Sequence, residues 1–299
     1  MVLVIGATGF IGQQLVAQLA QAQYPICCLV RPSRRPRTFA PGTTLQVISG
    51  DLDNAPALRM AMHGVKAVIY LATTWEETAE ETVEEVNVRH ARQLVDAMHE
   101  AGVPRLITLS SIGADSHSAF AYLRSKGLTD EVFTRSGLDY TILQSSAVYG
   151  AGDQWTESIA LMLRRWPFFF PIPGDGRVRL QPIWVNDLAR CAVTCLADSK
   201  SAKKTFVVGG SQALMYDDFI NLIMQVTGHR RNKRYMRPAS ALSWSRFLSG
   251  WLGGHALYTP TELDLLSVDR TTALDSVSFQ FGFTPTRPAS SLDYLKHHA

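Results

Sequence analysis

The 299-residue sequence predicts an α/β fold, a doubly wound parallel sheet covered by helices on both faces, with a small C-terminal lobe. Three observations lead to it. Short β-branched runs alternate with helical patterns, which implies parallel strands joined by crossover helices. The chain opens with a strand, a glycine turn and a helix in that order. Composition then shifts after Tyr149-Gly150 toward an aromatic stretch holding Trp155, Trp166, Phe168, Phe169 and Phe170.

The elements follow in order. Val2-Leu3-Val4-Ile5 is the first strand, and Leu15, Val16 and Leu19 mark the first helix. Ile26–Val30, Leu45–Ile48, Ala67–Leu71, Arg105–Leu109, Tyr140–Leu143 and Thr205–Val208 read as the next six strands. Helical patterns run from Val83 to Ala101 and from Ala121 to Ser136. These boundaries predict a nucleotide-binding domain over 1–150, completed by about 182–212, and a substrate or partner lobe over 151–181 and 213–299.

Bulk properties exclude several classes. Hydrophobic residues make up 46% and charged residues 18%, so a large core is expected and disorder is not. The net charge of +3 gives no argument for nucleic acid, and neither a helix-turn-helix pattern nor a long basic stripe is visible. Cys27, Cys28, Cys191 and Cys195 lack metal-finger spacing and read as buried thiols in a reducing compartment. A first strand beginning at Val2 predicts no cleaved signal peptide, and no apolar run reaches about 18 residues. The eight histidines form no ligand-spaced set, so no metal site is expected. The paired glutamates Glu76-Glu77, Glu80-Glu81 and Glu84-Glu85 read as an exposed helix face.

The opening turn is Gly6-Ala7-Thr8-Gly9-Phe10-Ile11-Gly12. Its first glycine permits the tight turn, its second lets backbone approach a diphosphate, and its third lets helix and strand pack closely. Gly6, Thr8, Gly9, Phe10, Ile11 and Gly12 are therefore the candidate cofactor-binding residues of the turn. In the short-chain dehydrogenase/reductases that this glycine turn resembles, the position after the second strand selects between the two nicotinamide cofactors, and here it carries Arg31 in the run Arg31-Pro32-Ser33-Arg34-Arg35. A guanidinium suits a 2′-phosphate, so Arg31 and Arg35 favour NADP(H) over NAD(H). The alternative is a solvated basic loop.

The G-x-x-G-x-x-G spacing resembles the Rossmann domains of extended and atypical short-chain dehydrogenase/reductases. Ser136-Gly137-Leu138-Asp139-Tyr140-Thr141-Ile142-Leu143-Gln144, Ile172-Pro173-Gly174-Asp175-Gly176 and Gln181-Pro182-Ile183-Trp184-Val185-Asn186-Asp187-Leu188-Ala189 are similar to the atypical, NmrA-like subfamily that contains the nucleotide-binding accessory subunit of respiratory complex I. Gln144 stands where that subfamily usually has arginine. The resemblance covers roughly residues 1–225 and implies further cofactor contacts from Asp51 and Leu52, from Ala72 and Thr73, and from Ser110. It matches Asn87 to a helix asparagine that serves as a structural bridge. Asp187 reads as a helix cap.

The same resemblance implies the chemistry. Reductases of the family use a tyrosine as acid and a lysine four residues later that holds the ribose and lowers the phenol pKa. Tyr122-Leu123-Arg124-Ser125-Lys126 has that spacing, and residues four apart share one helix face. Ser111 is the candidate substrate hydroxyl, although active relatives often place it slightly later, where this chain has Ile112 and Gly113. The alternative is a surface tyrosine beside a lysine.

Near the C-terminus, the basic cluster His229–Arg237 precedes Leu242, Trp244, Phe247, Leu248, Trp251 and Leu252 at helical spacing. Three readings stand open: a core helix behind a solvated loop, a lid over an apolar pocket, or a surface for a membrane or partner through 229–252. His297-His298 reads as a solvated tail. Two functions follow. One is an NADPH-dependent reductase of an apolar carbonyl, quinone or pigment-like substrate. The other is a non-catalytic NADP(H)-binding accessory subunit or assembly factor of a membrane redox complex. Either would sit in the cytoplasm, or on the stroma or matrix side of an organelle, with a peripheral place at a membrane open to both.

Overall fold

The computed structural model describes residues 1–32, 39, 45–75, 77, 80–250 and 256–296. Arg35, Glu76, Trp251, Leu252, His297 and His298 lie outside the described residues. The chain forms two compact units, Met1–Ser145 with Leu188–Val207, and Ser146–Asp187 with Val208–Ala299.

In the first unit, β1 (Val2–Ile5), α1 (Phe10–Gln21), β2 (Ile26–Val30), β3 (Gln46–Ser49), α2 (Ala55–Ala61), β4 (Ala67–Tyr70), α3 (Val83–Ala101), β5 (Arg105–Ser111), α4 (Ala121–Arg135) and β6 (Asp139–Ser145) follow one another. The sheet order is β3-β2-β1-β4-β5-β6, with Lys204–Val208 added beside β6. Every pair from β3 to β6 runs parallel. The order reverses at β1, between β2 and β4. That is the switch point where open α/β sheets bind ligands at the carboxyl ends of their strands. β1 and β4 are buried at every position, as strands covered on both faces should be.

The helices are set by local chemistry. In α1, Gly12, Leu15, Val16 and Leu19 form the buried stripe. α3 begins with a reciprocal capping box. The Thr82 hydroxyl accepts from Glu85 N–H at 3.2 Å, and the Glu85 carboxylate accepts from Thr82 N–H at 2.9 Å, worth about 1 kcal/mol. The box starts the helix at Val83, so Glu80 and Glu81 precede it. The paired glutamates are therefore not one continuous helix face. Glu81 instead pairs with Arg89, and Glu84 pairs with Arg124 at 2.5 Å. In α4, Tyr122, Ser125, Lys126, Thr129 and Phe133 are all buried on one face. Phe133 meets Tyr70 edge to face at 5.6 Å.

The second unit takes its main elements from β7 (Val148–Tyr149), α5 (Gln154–Arg165), β8 (Phe169–Pro173), β9 (Arg179–Leu180) and β10 (Ile183–Trp184), which α6 (Val185–Ala197) follows directly. After the sheet strand β11 (Lys204–Val208) come β12 (Leu214–Met215), α7 (Tyr216–Thr227), β13 (Asn232–Met236) and α8 (Pro238–Ser249). This unit has its own core, in which Tyr149, Ile159, Phe170, Phe219, Ile220 and Leu248 are fully buried.

Asp187 does not cap α6, because the helix starts at Val185. Its carboxylate accepts from Thr286 N–H at 2.7 Å and holds a segment 99 residues downstream. The basic cluster before α8 is not a loop. Residues 232–236 form β13, parallel to β8, because Phe169–Pro173 offers an edge with unpaired backbone groups. In α8 the buried positions are Ala241, Ser245 and Leu248, while Phe247 is 61% exposed. The whole apolar pattern of that helix is thus not its core face. All four cysteines are free and buried, and burial pushes the Cys28 and Cys195 thiols up to about 12, which leaves them inert.

Candidate functional site

The glycine turn is built for close backbone approach. Gly6 sits at φ +89, where a Cβ would lie 2.9 Å from Ala72 N. At Gly12 a Cβ would lie 2.2 Å from Gly6 O, so helix and turn can pack only without a side chain. Gly9 N–H donates to Gly6 O at 3.1 Å and tightens the turn. No side chain caps α1, and no acidic residue occupies its first turn. The N–H groups of Phe10, Ile11 and Gly12 therefore precede the first intrahelical acceptor, at the positive end of the helix dipole. Thr8 is half-buried, and its carbonyl accepts from Gln13 Nε2 at 3.2 Å. This uncapped end, with a cradle that a Cβ would fill, fits a diphosphate.

The remaining cofactor candidates line the strand ends. Arg31 is exposed directly after β2. Asp51 follows β3, and its Oδ1 accepts from Asn54 N–H at 3.0 Å. The Asp51 carboxylate thus also forms the turn into α2, a local role that the resemblance does not carry. Leu52 is buried beneath it. After β4, Ala72 and Thr73 are half-buried, and Thr73 Oγ1 donates to Thr74 O at 3.5 Å. Asn87 ties this segment to two helices. Its Oδ1 accepts from Thr74 N–H at 2.8 Å, and its Nδ2 donates to Thr74 O at 3.2 Å and to Ser125 Oγ at 2.9 Å.

Tyr122 and Lys126 occupy the buried face of α4. Lys126 Nζ donates to Leu109 O at 3.3 Å and lies 5.8 Å from the Tyr122 ring centre. Burial pulls the Lys126 ammonium down to about 8, and the nearby Asp130 charge offsets part of that. Asp130 is the counterpart. Burial raises its carboxyl above the usual range, while Ser110 Oγ, donating at 2.7 Å, and Gln144 Nε2, at 3.1 Å, favour the ionised form. Ser110, a cofactor candidate, is therefore bonded to Asp130. Ser111 is buried, and its hydroxyl donates to Ile112 O at 3.3 Å.

Trp75 is a site residue that no motif in the sequence singles out. Its indole stacks on the Tyr122 ring at 4.3 Å and 11°. The available signal was a lone tryptophan two residues past Thr73, in the segment expected to run along the cofactor. Asp130 is a second such residue, although it lies four residues after Lys126 on the same helix face. Among the described residues, no group of three His, Cys, Asp or Glu is placed to hold a metal ion.

Residues 6–169 match the NAD(P)H-binding family. The chain belongs to this family. Its fold is the Rossmann fold of the atypical short-chain dehydrogenase/reductase type. Photosystem II assembly factor Ycf39 of Guillardia theta is 26% identical over 301 residues, 99% of this chain and 93% of that protein. Subunit 9 of the mouse mitochondrial NADH dehydrogenase [ubiquinone] 1 alpha subcomplex is 26% identical over 302 residues, 99% of this chain and 79% of that protein. Among solved structures, gox2253 superposes with a TM-score of 0.77 at 21% identity, over 99% of this chain and 96% of that one. MoeE5, solved in complex with UDP-glucose and NAD, gives 0.75 at 21% identity, over 99% and 97%. Those two likenesses speak for the fold. No helix among the described residues is long and apolar enough to cross a membrane.

Proposed function

We propose that this protein is an NADP(H)-dependent reductase of an apolar carbonyl, quinone or pigment-like substrate. The observation that carries the reading is the placement of Tyr122 and Lys126 on one buried face of α4, with the ammonium 5.8 Å from the phenol ring. The turn Gly6–Gly12 would hold the diphosphate, Arg31 a 2′-phosphate, and Asp51, Leu52, Ala72, Thr73 and Ser110 the adenosine and the remainder of the nucleotide. Lys126 would hold the nicotinamide ribose. The bound nicotinamide supplies the hydride. Tyr122 donates the proton to the carbonyl oxygen, and the Lys126 charge favours the phenolate left behind. Ser111 holds the substrate oxygen. Trp75, stacked on Tyr122, adds an aromatic wall that supports a flat apolar substrate.

The test is a screen of quinones and apolar carbonyls with NADPH and with NADH, on the native chain and on Tyr122→Phe. Turnover in the native chain that Tyr122→Phe abolishes while nucleotide binding persists is the expected result. Unchanged turnover in the variant would remove Tyr122 from its role.

A second reading rests on the relatives aligned along almost the whole chain, an assembly factor and a respiratory-complex subunit. In it, the chain binds NADP(H) without turnover and works on a membrane redox complex, peripherally, from the cytoplasmic, stromal or matrix side. Gentle purification from the native host separates the two. NADPH recovered inside a large membrane complex favours the second reading, and NADPH on a protein that purifies alone favours the first.

A further inference from the structure

The second unit carries an aromatic face with a basic surround. Trp166 contacts Phe168 at 4.9 Å and Trp244 at 6.3 Å, and Trp244 contacts Phe169 at 5.3 Å and Phe247 at 5.6 Å. Packing cannot account for all of this cluster, since Phe168 is 67% and Phe247 61% exposed. Exposed phenylalanines joined through one aromatic cluster mark a surface awaiting a partner. The segments that present them, 161–170 and 228–250, contain eight Lys and Arg and no Asp or Glu. The chain as a whole carries only +3, so the rest of the molecule is net negative. Arg165, Arg230, Arg234 and Arg246 are exposed, and Arg234 lies 5.2 Å from the Phe169 ring centre. The neighbouring carboxylate, Asp217, is taken up by Lys233 and by the Tyr235 hydroxyl at 2.8 Å.

We infer that this face docks on the surface of an anionic lipid bilayer, with Phe168 and Phe247 entering the headgroup boundary and the arginines meeting lipid phosphates. The pairing of apolar aromatic tips with a cationic surround is what an interfacial site requires. Indole rings at the same face suit the depth where one edge is apolar and the other wet. A second copy of this chain is a poor occupant, because apposing two such faces sets arginines against arginines. The inference deepens the peripheral-membrane part of the reading above and does not depend on turnover.

The test is flotation of the full chain with vesicles of phosphatidylcholine alone and of phosphatidylcholine with phosphatidylglycerol. The native chain should float with the anionic vesicles and not with the neutral ones, and added salt should weaken the association. Phe168→Ser with Phe247→Ser should lower partitioning at least about tenfold with the charge untouched. Arg234→Gln with Arg246→Gln should lower it about fivefold for each charge removed. Unchanged thermal unfolding and unchanged NADPH binding show that the variants fold, and separate failure here from failure of the nucleotide reading. No flotation, or equal flotation with both vesicles, overturns the inference. So does sedimentation showing that the native chain self-associates and the double phenylalanine variant does not, because the face would then join copies of the chain.

Discussion

Lys126→Met should make the protein more stable at neutral pH while weakening nucleotide binding. The ammonium is buried, and its pKa falls from the ordinary 10.5 to about 8. At about 1.4 kcal/mol for each tenfold change, the folded state disfavours the charged lysine by about 3 kcal/mol. A group whose folded pKa is depressed in this way, being cationic, carries its full cost where both states are protonated, below pH 8. The cost fades between pH 8 and 10.5, where only the unfolded chain keeps the proton. Methionine removes the cost but also removes the hydrogen bond to Leu109 O, about 1 kcal/mol, and the cation nearest Asp130. The net gain at pH 7 should be about 1–2 kcal/mol. Urea unfolding at pH 7 and pH 9.5 reads it directly. The native chain should gain on the variant by about 2 kcal/mol between those pH values. A variant less stable than the native chain at pH 7, or a gap independent of pH, would refute the reasoning.

Three further outcomes follow from the site. Gly12→Ala places a methyl 2.2 Å from Gly6 O, against backbone that cannot yield; thermal unfolding should show a loss of about 1–3 kcal/mol, and fluorescence titration at least about tenfold weaker NADPH binding. Arg31→Asp should reverse the cofactor preference by about tenfold or more in paired NADPH and NADH titrations, since a carboxylate repels the 2′-phosphate and accepts from ribose hydroxyls. Gln144→Leu removes a donor to Asp130 and pushes an already raised carboxyl higher; urea unfolding should show a loss of about 1–3 kcal/mol at pH 7 that shrinks as the pH falls through the raised folded-state pKa, where the buried carboxyl takes up its proton in native chain and variant alike.

What the sequence made legible is what short-range geometry dictates. The turn at Gly6–Gly12 is readable because each glycine answers a local steric demand, and the face of α4 is readable because Tyr122, Lys126 and Phe133 recur at helical spacing. The start of α3 at Val83 is readable from its helical pattern, and the Thr82-x-x-Glu85 capping box fixes it there. Other features lie beyond local reading. Asp187 looks like a cap until Thr286, 99 residues away, claims its carboxylate. Residues 232–236 carry Lys233 and Arg234 and read as a loop, yet they pair with β8, and no local pattern announces that partner. The stacking of Trp75 on Tyr122 depends on how the segment after β4 is held by Asn87, a contact set by three elements together.

Lys126 and Asp130 break the rule that buried charges find close ionic partners. Both are buried or nearly so on α4, yet the carboxylate is satisfied by two neutral donors, Ser110 and Gln144, and the ammonium by one backbone carbonyl. An arginine at 144, usual in the resembling subfamily, would give Asp130 a full cation. Gln144 leaves Lys126 as the charge that offsets Asp130 from four residues away. The fold therefore carries a standing electrostatic cost beside the glycine-turn end of the sheet. Sequences tend to accept such costs where a ligand repays them. A nucleotide ribose would give the ammonium further acceptors and should lift its pKa back toward the ordinary range. Saturating NADPH should thus stabilise the native chain more than Lys126→Met, and the stability advantage of methionine should shrink or reverse once nucleotide is bound. Equal stabilisation of both chains by NADPH would mean that Lys126 takes no part in holding it, and that its burial has another cause.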